Sequence, residues 1–170
     1  MGDAVRQVLK KQIILQGRSE DALCCLIYKM NLSKLLLSKR GAILSEATTA
    51  MSRAHFKHYE DSGVESIWDR LEKLYDLLAE SVKEENIVPV VNYSDKMARD
   101  RFNAGYDLQE VQTAINMLEE CIWKQIVKNI PKEDQAEAIR LTATILGNSK
   151  DVLARTYVEL AVNKVRNDKR

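Results

Sequence analysis

Two histidines, three cysteines and a pair of arginines are the residues of this chain whose types and spacing could do chemistry. His55 and His58 stand in H-F-K-H-Y-E-D, three residues apart. On one helix they would share a face, as paired metal ligands must. Glu46, Glu60 and Asp61 lie nearby in sequence. The competing reading is a polar face near a helix C-terminus, where the dipole favours histidine. No E-x-x-H pair occurs, so a di-iron carboxylate bundle lacks its signature. A haem globin needs an axial histidine on a later helix, and residues 59–170 contain none. The expectation is no metal and no cofactor.

The cysteines show neither C-x-x-C nor a zinc spacing. Cys24 and Cys25 are adjacent, too close to bridge without strain, and Cys121 falls on an apolar helix face. Such an odd count suits a reducing, cytoplasmic setting. Cys24 or Cys25 could act as a nucleophile only with a base at hand, whereas a small core residue needs none. The chain has no G-x-x-x-x-G-K-[ST], G-x-G-x-x-G or G-x-S-x-G. No carboxylate pair stands alone in an apolar setting suited to acid–base work. The expectation is therefore no enzyme and no catalytic residue. Arg99 and Arg101, followed by Asp107, Glu110, Glu119 and Glu120, leave two readings. One is an ion pair such as Arg101 to Glu110; the other is recognition of an anion. Trp68, Trp123 and Tyr157 lie on or beside helix stripes, as core packing or as the lining of a ligand cavity.

These residues need a scaffold, and composition describes one. A chain of 170 residues fits a single domain with a real core. It is 45% hydrophobic and 30% charged, with two prolines and six glycines, which favours helices. A formal net charge of +1 argues against a dedicated nucleic-acid binder. The basic end Lys164, Arg166, Lys169 and Arg170 reads as a solvated helix terminus whose cations suit the dipole. No signal peptide is recognisable. The longest apolar run, residues 22–28, is far short of the roughly 20 residues that cross a bilayer, so no membrane insertion is expected.

Along the chain, Val5, Val8, Leu9 and Ile13 mark a first helix over residues 3–15, and residues 16–19 interrupt it. Residues 22–28 are ambiguous by periodicity and are read as helix, because no second strand exists to pair with them. Ser33 is placed to cap a long helix over residues 34–59, with a kink or a close contact expected at Gly41. Asp61, Ser62 and Gly63 read as a turn. Ile67, Leu71, Leu74, Leu78 and Val82 form an amphipathic stripe ending at Glu84, Glu85 and Asn86. Pro89 suits the first turn of a helix from about 88 to 104. Gly105 can take the positive φ that stops it. Asp107 then caps the next helix with Glu110 at N3, and Tyr106 and Val111 form a staple. That helix runs to the break at Asn129, Ile130 and Pro131, and a final one of about 35 residues follows, roughly 50 Å long.

The pattern Ala98, Arg101, Gly105, Tyr106, Leu108, Glu110 and Val111 resembles the N-terminal domain of RsbR/RsbRD-type bacterial stress (stressosome) regulators. The L-L-S-K-R-G-A-I-L stretch over residues 36–44 and the long last helix are also similar to that family. The likeness covers about residues 33–165. It divides the chain into an N-terminal helical extension, 1–32, and a sensory domain, 33–170. It implies a haem-free, globin-like fold, usually dimeric, that sits ahead of an output module and signals through its last helix. The family supplies no catalytic residues to carry over. No output module is recognisable here, so the chain is expected to be a piece of a longer protein or a stand-alone regulator.

The sequence thus predicts an all-α, single-domain, globin-like bundle of six to seven helices with a long C-terminal helix. The function expected is non-catalytic sensing in bacterial signal transduction and stress response, as a homodimer that contacts an output domain or signalling partner, with an unidentified small ligand left open. Two alternatives are a helical adaptor without a ligand and a metal or haem sensor using His55 or His58.

Overall fold

Between residues 28 and 51, apolar residues recur at four- and seven-residue intervals: Tyr28, Leu32, Leu36, Ile43, Ala47 and Met51, all buried. The computed structural model describes the backbone of residues 20–168 and the side chains of residues 28–167. It contains five α-helices and, among the described residues, no strand: α1 Glu20–Arg53, α2 Lys57–Glu84, α3 Val88–Asn103, α4 Leu108–Asn129 and α5 Lys132–Asp168. The helix expected over residues 3–15 lies outside the described residues.

Short linkers fold α1 against α2, α2 against α3 and α4 against α5, while α3 and α4 meet only around their shared corner. α1 packs mainly on α2 and α4, and α5 mainly on α3 and α4. One continuous core results, with Leu44, Leu78, Leu118, Ile122 and Leu153 fully or almost fully buried. Polar contacts inside it fix the register. Tyr75 Oη donates to the Leu36 carbonyl at 2.7 Å, joining α2 to α1. Ser94 and Ser149 share a buried hydrogen bond of 2.7 Å between α3 and α5. No helix among the described residues is long and apolar enough to cross a membrane.

Sequence expectations are corrected at four places. The separate helices read over residues 22–28 and 34–59 are one, because Leu32, Leu35 and Leu36 carry the apolar stripe straight past Ser33. That merger leaves five helices among the described residues, where the sequence reading places six. The long helix ends at Arg53 rather than near 59: His55 takes a left-handed φ of 54°, and half-buried Phe56 starts α2 in extended backbone. The turn expected at Gly63 is a kink inside α2, with φ 78° and ψ 161°. At Gly41 nothing lies within 4 Å of where a Cβ would stand, so no close helix contact is made there. The breaks at Glu85, at Gly105 and at residues 130–131 fall where the sequence puts them. Asn86 Oδ1 accepts the Val88 N–H at 3.0 Å, and Pro89 sits in the first turn of α3.

Candidate functional site

The corner between α3 and α4 is built from its own residues outward. Gly105 takes φ 84°, the left-handed conformation that glycine adopts without steric cost. Tyr106 N–H returns to the Arg101 carbonyl at 3.0 Å, closing α3. Asp107 is the N-cap of α4, in extended backbone at φ −72° and ψ 145°. Glu110 Oε2 accepts the Asp107 N–H at 3.0 Å, the return half of a capping box. Tyr106 and Val111 are both buried beside it, as a staple requires.

Tertiary packing then brings α2 to this corner. His58 Nδ1 donates to the same Glu110 Oε2 at 2.8 Å, so one buried carboxylate oxygen closes the cap and holds α2. The imidazole lies over the Tyr106 ring with centroids 4.8 Å apart, and Tyr59 meets that ring edge-on at 5.4 Å. Arg70 Nη1 donates to Tyr106 Oη at 2.8 Å and to Ser62 Oγ at 3.3 Å. Tyr106 Oη in turn donates to the His58 carbonyl at 3.1 Å. The guanidinium carbons of Arg101 and Arg70 stand 5.0 and 5.4 Å from the centre of the Tyr106 ring. α5 joins last: Tyr157 Oη donates to the Tyr106 carbonyl at 3.2 Å, and its ring meets Phe102 edge-on at 5.6 Å.

A cavity of about 20 Å³ lies at this junction, bordered by Tyr59, Arg70 and Arg101 together with apolar Leu71, Val111 and Ile115. Burial pushes the Tyr59 hydroxyl up to about 12, against the opposing pull of Arg101 and Arg70. The Tyr93 hydroxyl is also raised by burial, with the same two cations opposing. A larger open groove of about 470 Å³ runs between α1 and α2, lined by Leu36, Leu37, Tyr75 and Ala79 beside Arg40 and Asp76.

The residues singled out from sequence disperse. His55 is in the linker before α2, 81% exposed at its side chain, and pairs with Glu60 at 2.7 Å. It therefore shares no helix face with His58. Among the described residues, no group of three or more histidines, cysteines or carboxylates is close enough to hold a metal ion. Arg101 and Glu110 form no ion pair, because the Glu110 carboxylate is turned to its own cap and to His58. Arg99 pairs with Asp95 one turn back at 3.0 Å. Hydrogen bonds from Arg99 and then from Thr156 hold the Asp95 carboxyl below its usual range. Glu119 pairs with Lys150 at 2.8 Å and Glu120 with Lys124 at 3.0 Å, both away from the corner. Burial pushes the Cys121 thiol up to about 11, which leaves little nucleophilic thiolate near neutral pH. The side chains of Cys24 and Cys25 lie outside those described. Trp68 and Trp123 pack half-buried against the core.

Sequence reasoning missed Tyr59, Arg70 and Tyr93. Arg70 lies 36 residues before Tyr106, and no spacing rule links the two. Comparison with family models and with curated proteins returns no match for this chain.

Proposed function

We propose that this chain is a non-catalytic sensory or regulatory domain that passes a conformational bias from the Gly105–Glu110 corner into its last helix. In this reading it is a globin-like relay of the RsbR/RsbRD kind, acting as a homodimer. The observation that carries it is the Tyr157 contact. One residue of α5 is bonded to the backbone of the corner and packed on Phe102 at the end of α3. Any rearrangement around Tyr106 must therefore move α5 or break that bond.

Beyond Tyr157 the helix continues to Asp168 and changes character. Val158, Val162 and Val165 are exposed, spaced by four and then three residues. That is the spacing of a coiled-coil seam, which a second copy of the same stripe fits. Glu159 and Arg166, of opposite charge, flank the seam. The inner part of α5 thus reads the corner and the outer part presents a surface. Such a relay needs two states of similar energy, separated by a few kcal/mol at most.

Sedimentation at tens of micromolar tests the reading. Wild-type protein is expected to be a dimer, and the double variant V158E/V162E a monomer of unchanged helical content. A monomeric wild type overturns the reading.

A further inference from the structure

We propose that Arg70, Arg101 and the Tyr59 hydroxyl form a binding site for a small oxyanion, a carboxylate or phosphate group, at the corner. The inference rests on the regulatory reading above and supplies the chemical class of its ligand.

Burial sets two arginines apart, since Arg53, Arg155 and Arg166 also lack an ion pair with any described residue but are exposed. Arg40 donates to Asp76 and Glu72, Arg99 to Asp95, and Arg140 to Glu137. Arg70 and Arg101 are half-buried, and neither forms an ion pair with any described residue. Arg70 spends its hydrogen bonds on two neutral hydroxyls, Tyr106 and Ser62. The Arg101 guanidinium makes no hydrogen bond to any described residue; it only lies on the Tyr106 ring. Two like charges are thus brought to one aromatic ring. The ring's π-face attracts both, and an anion between them would add a direct ion pair to each.

Tyr59 supplies the second, independent observation. It is 4% exposed, it borders the cavity, and its hydroxyl has no hydrogen-bond partner among the described residues. Its oxygen is not fully enclosed, so water reaches it, and a ligand oxygen beside the two cations would take that water's place. The two guanidiniums also pull on the Tyr59 and Tyr93 hydroxyls, more strongly than the carboxylates of Glu110 and Asp100 push against them, which puts all four groups in one electrical neighbourhood.

The size of the cavity limits what enters. About 20 Å³ accommodates roughly one water-sized group. It therefore admits one oxygen of a head group, while the body of the ligand stays between the arginines at the mouth. Guanidinium forks match the oxygens of a carboxylate or phosphate pairwise, which favours an oxyanion over a halide. Tyr59 donates its proton to the innermost oxygen. No covalent step is involved.

Titration of the full chain with inorganic phosphate and, separately, with acetate tests the site, using calorimetry and tyrosine proton resonances in chloride-free buffer. Saturable binding of at least one probe is expected, and which of the two binds more tightly separates phosphate from carboxylate. Arg101→Gln and Tyr59→Phe should each weaken binding at least tenfold. Arg101→Lys should fall between wild type and Arg101→Gln, and Arg99→Gln should leave affinity unchanged. Tyr59→Phe keeps the ring and the packing, so it remains informative if Arg101→Gln does not fold. Absence of saturation by both probes, or equal affinity in wild type and Tyr59→Phe, overturns the proposal. A monomer that binds phosphate or acetate through these residues would sink the dimer relay and leave the site standing.

Discussion

Arg40 and the pair Arg70 and Arg101 are the same chemical group in two electrical settings. Arg40, on α1, donates to both oxygens of Asp76 at 2.9 Å and to Glu72 at 2.7 Å, so α2 answers its charge completely. The two carboxylates raise its already high pKa further. Arg70 and Arg101 face aromatic rings and hydroxyls instead. Both regions hold helices together, but only the second keeps charge to offer a ligand. An arginine matched by carboxylates is a staple, and one matched only by π-faces and neutral oxygens is still available. The corner also carries the heavier structural duty, since Tyr106, just ahead of α4, contacts α2, α3 and α5.

The sharpest way to break this comparison is to remove Tyr106. Tyr106→Ala takes away a buried ring and the two hydrogen bonds of its hydroxyl at once. It should lower stability by about 3–5 kcal/mol in urea unfolding, the usual range for truncating a buried aromatic. A loss under about 1 kcal/mol, in the range usual for an exposed ion pair, would mean the corner is no hub.

A smaller effect comes from alkali. The folded Tyr59 hydroxyl titrates near 12, against about 10 in an unfolded chain. Between those values the native state keeps a proton that the unfolded state has lost. The share of stability owed to Tyr59 is therefore full below about pH 10 and falls as pH rises toward 12, by about 2–3 kcal/mol at most, beside what the burial-raised Tyr75, Tyr93 and Tyr157 lose in alkali. Tyr59→Phe should make that part of the profile of unfolding free energy against pH shallower without levelling it. An unchanged slope would mean that the Tyr59 hydroxyl is not the group held neutral there.

The smallest effect belongs to the matched region. Arg40 and its partners are a third or more exposed at their side chains, so solvent screens the pair. Arg40→Ala should cost about 0.2–1 kcal/mol and leave oxyanion affinity untouched. A change in affinity would erase the distinction between the two regions.

Much of the helical grammar was legible before the fold. Gly105, Asp107 and Glu110 name a stop, a cap and its return bond, because these depend on residues within one turn of each other. The stripe from Ile67 to Val82 and the break at Pro131 are local in the same sense. The errors fell where local signals are ambiguous. Ser33 is a good cap, yet the apolar stripe continued through it. His55 and His58 looked like neighbours on a helix until a left-handed φ at His55 put them on different elements.

The sequence by itself determined an all-helical chain, most of its corners and the length of its last helix, because periodicity and capping are short-range. Tertiary structure alone decided which charges meet. Glu110 could have taken Arg101, nine residues away in the chain, and took His58 from another helix. Arg70 arrives at Tyr106 from α2, and Tyr157 from α5. Electrostatic partners are chosen by distances across a packed core, and those distances exist only once the helices have been placed.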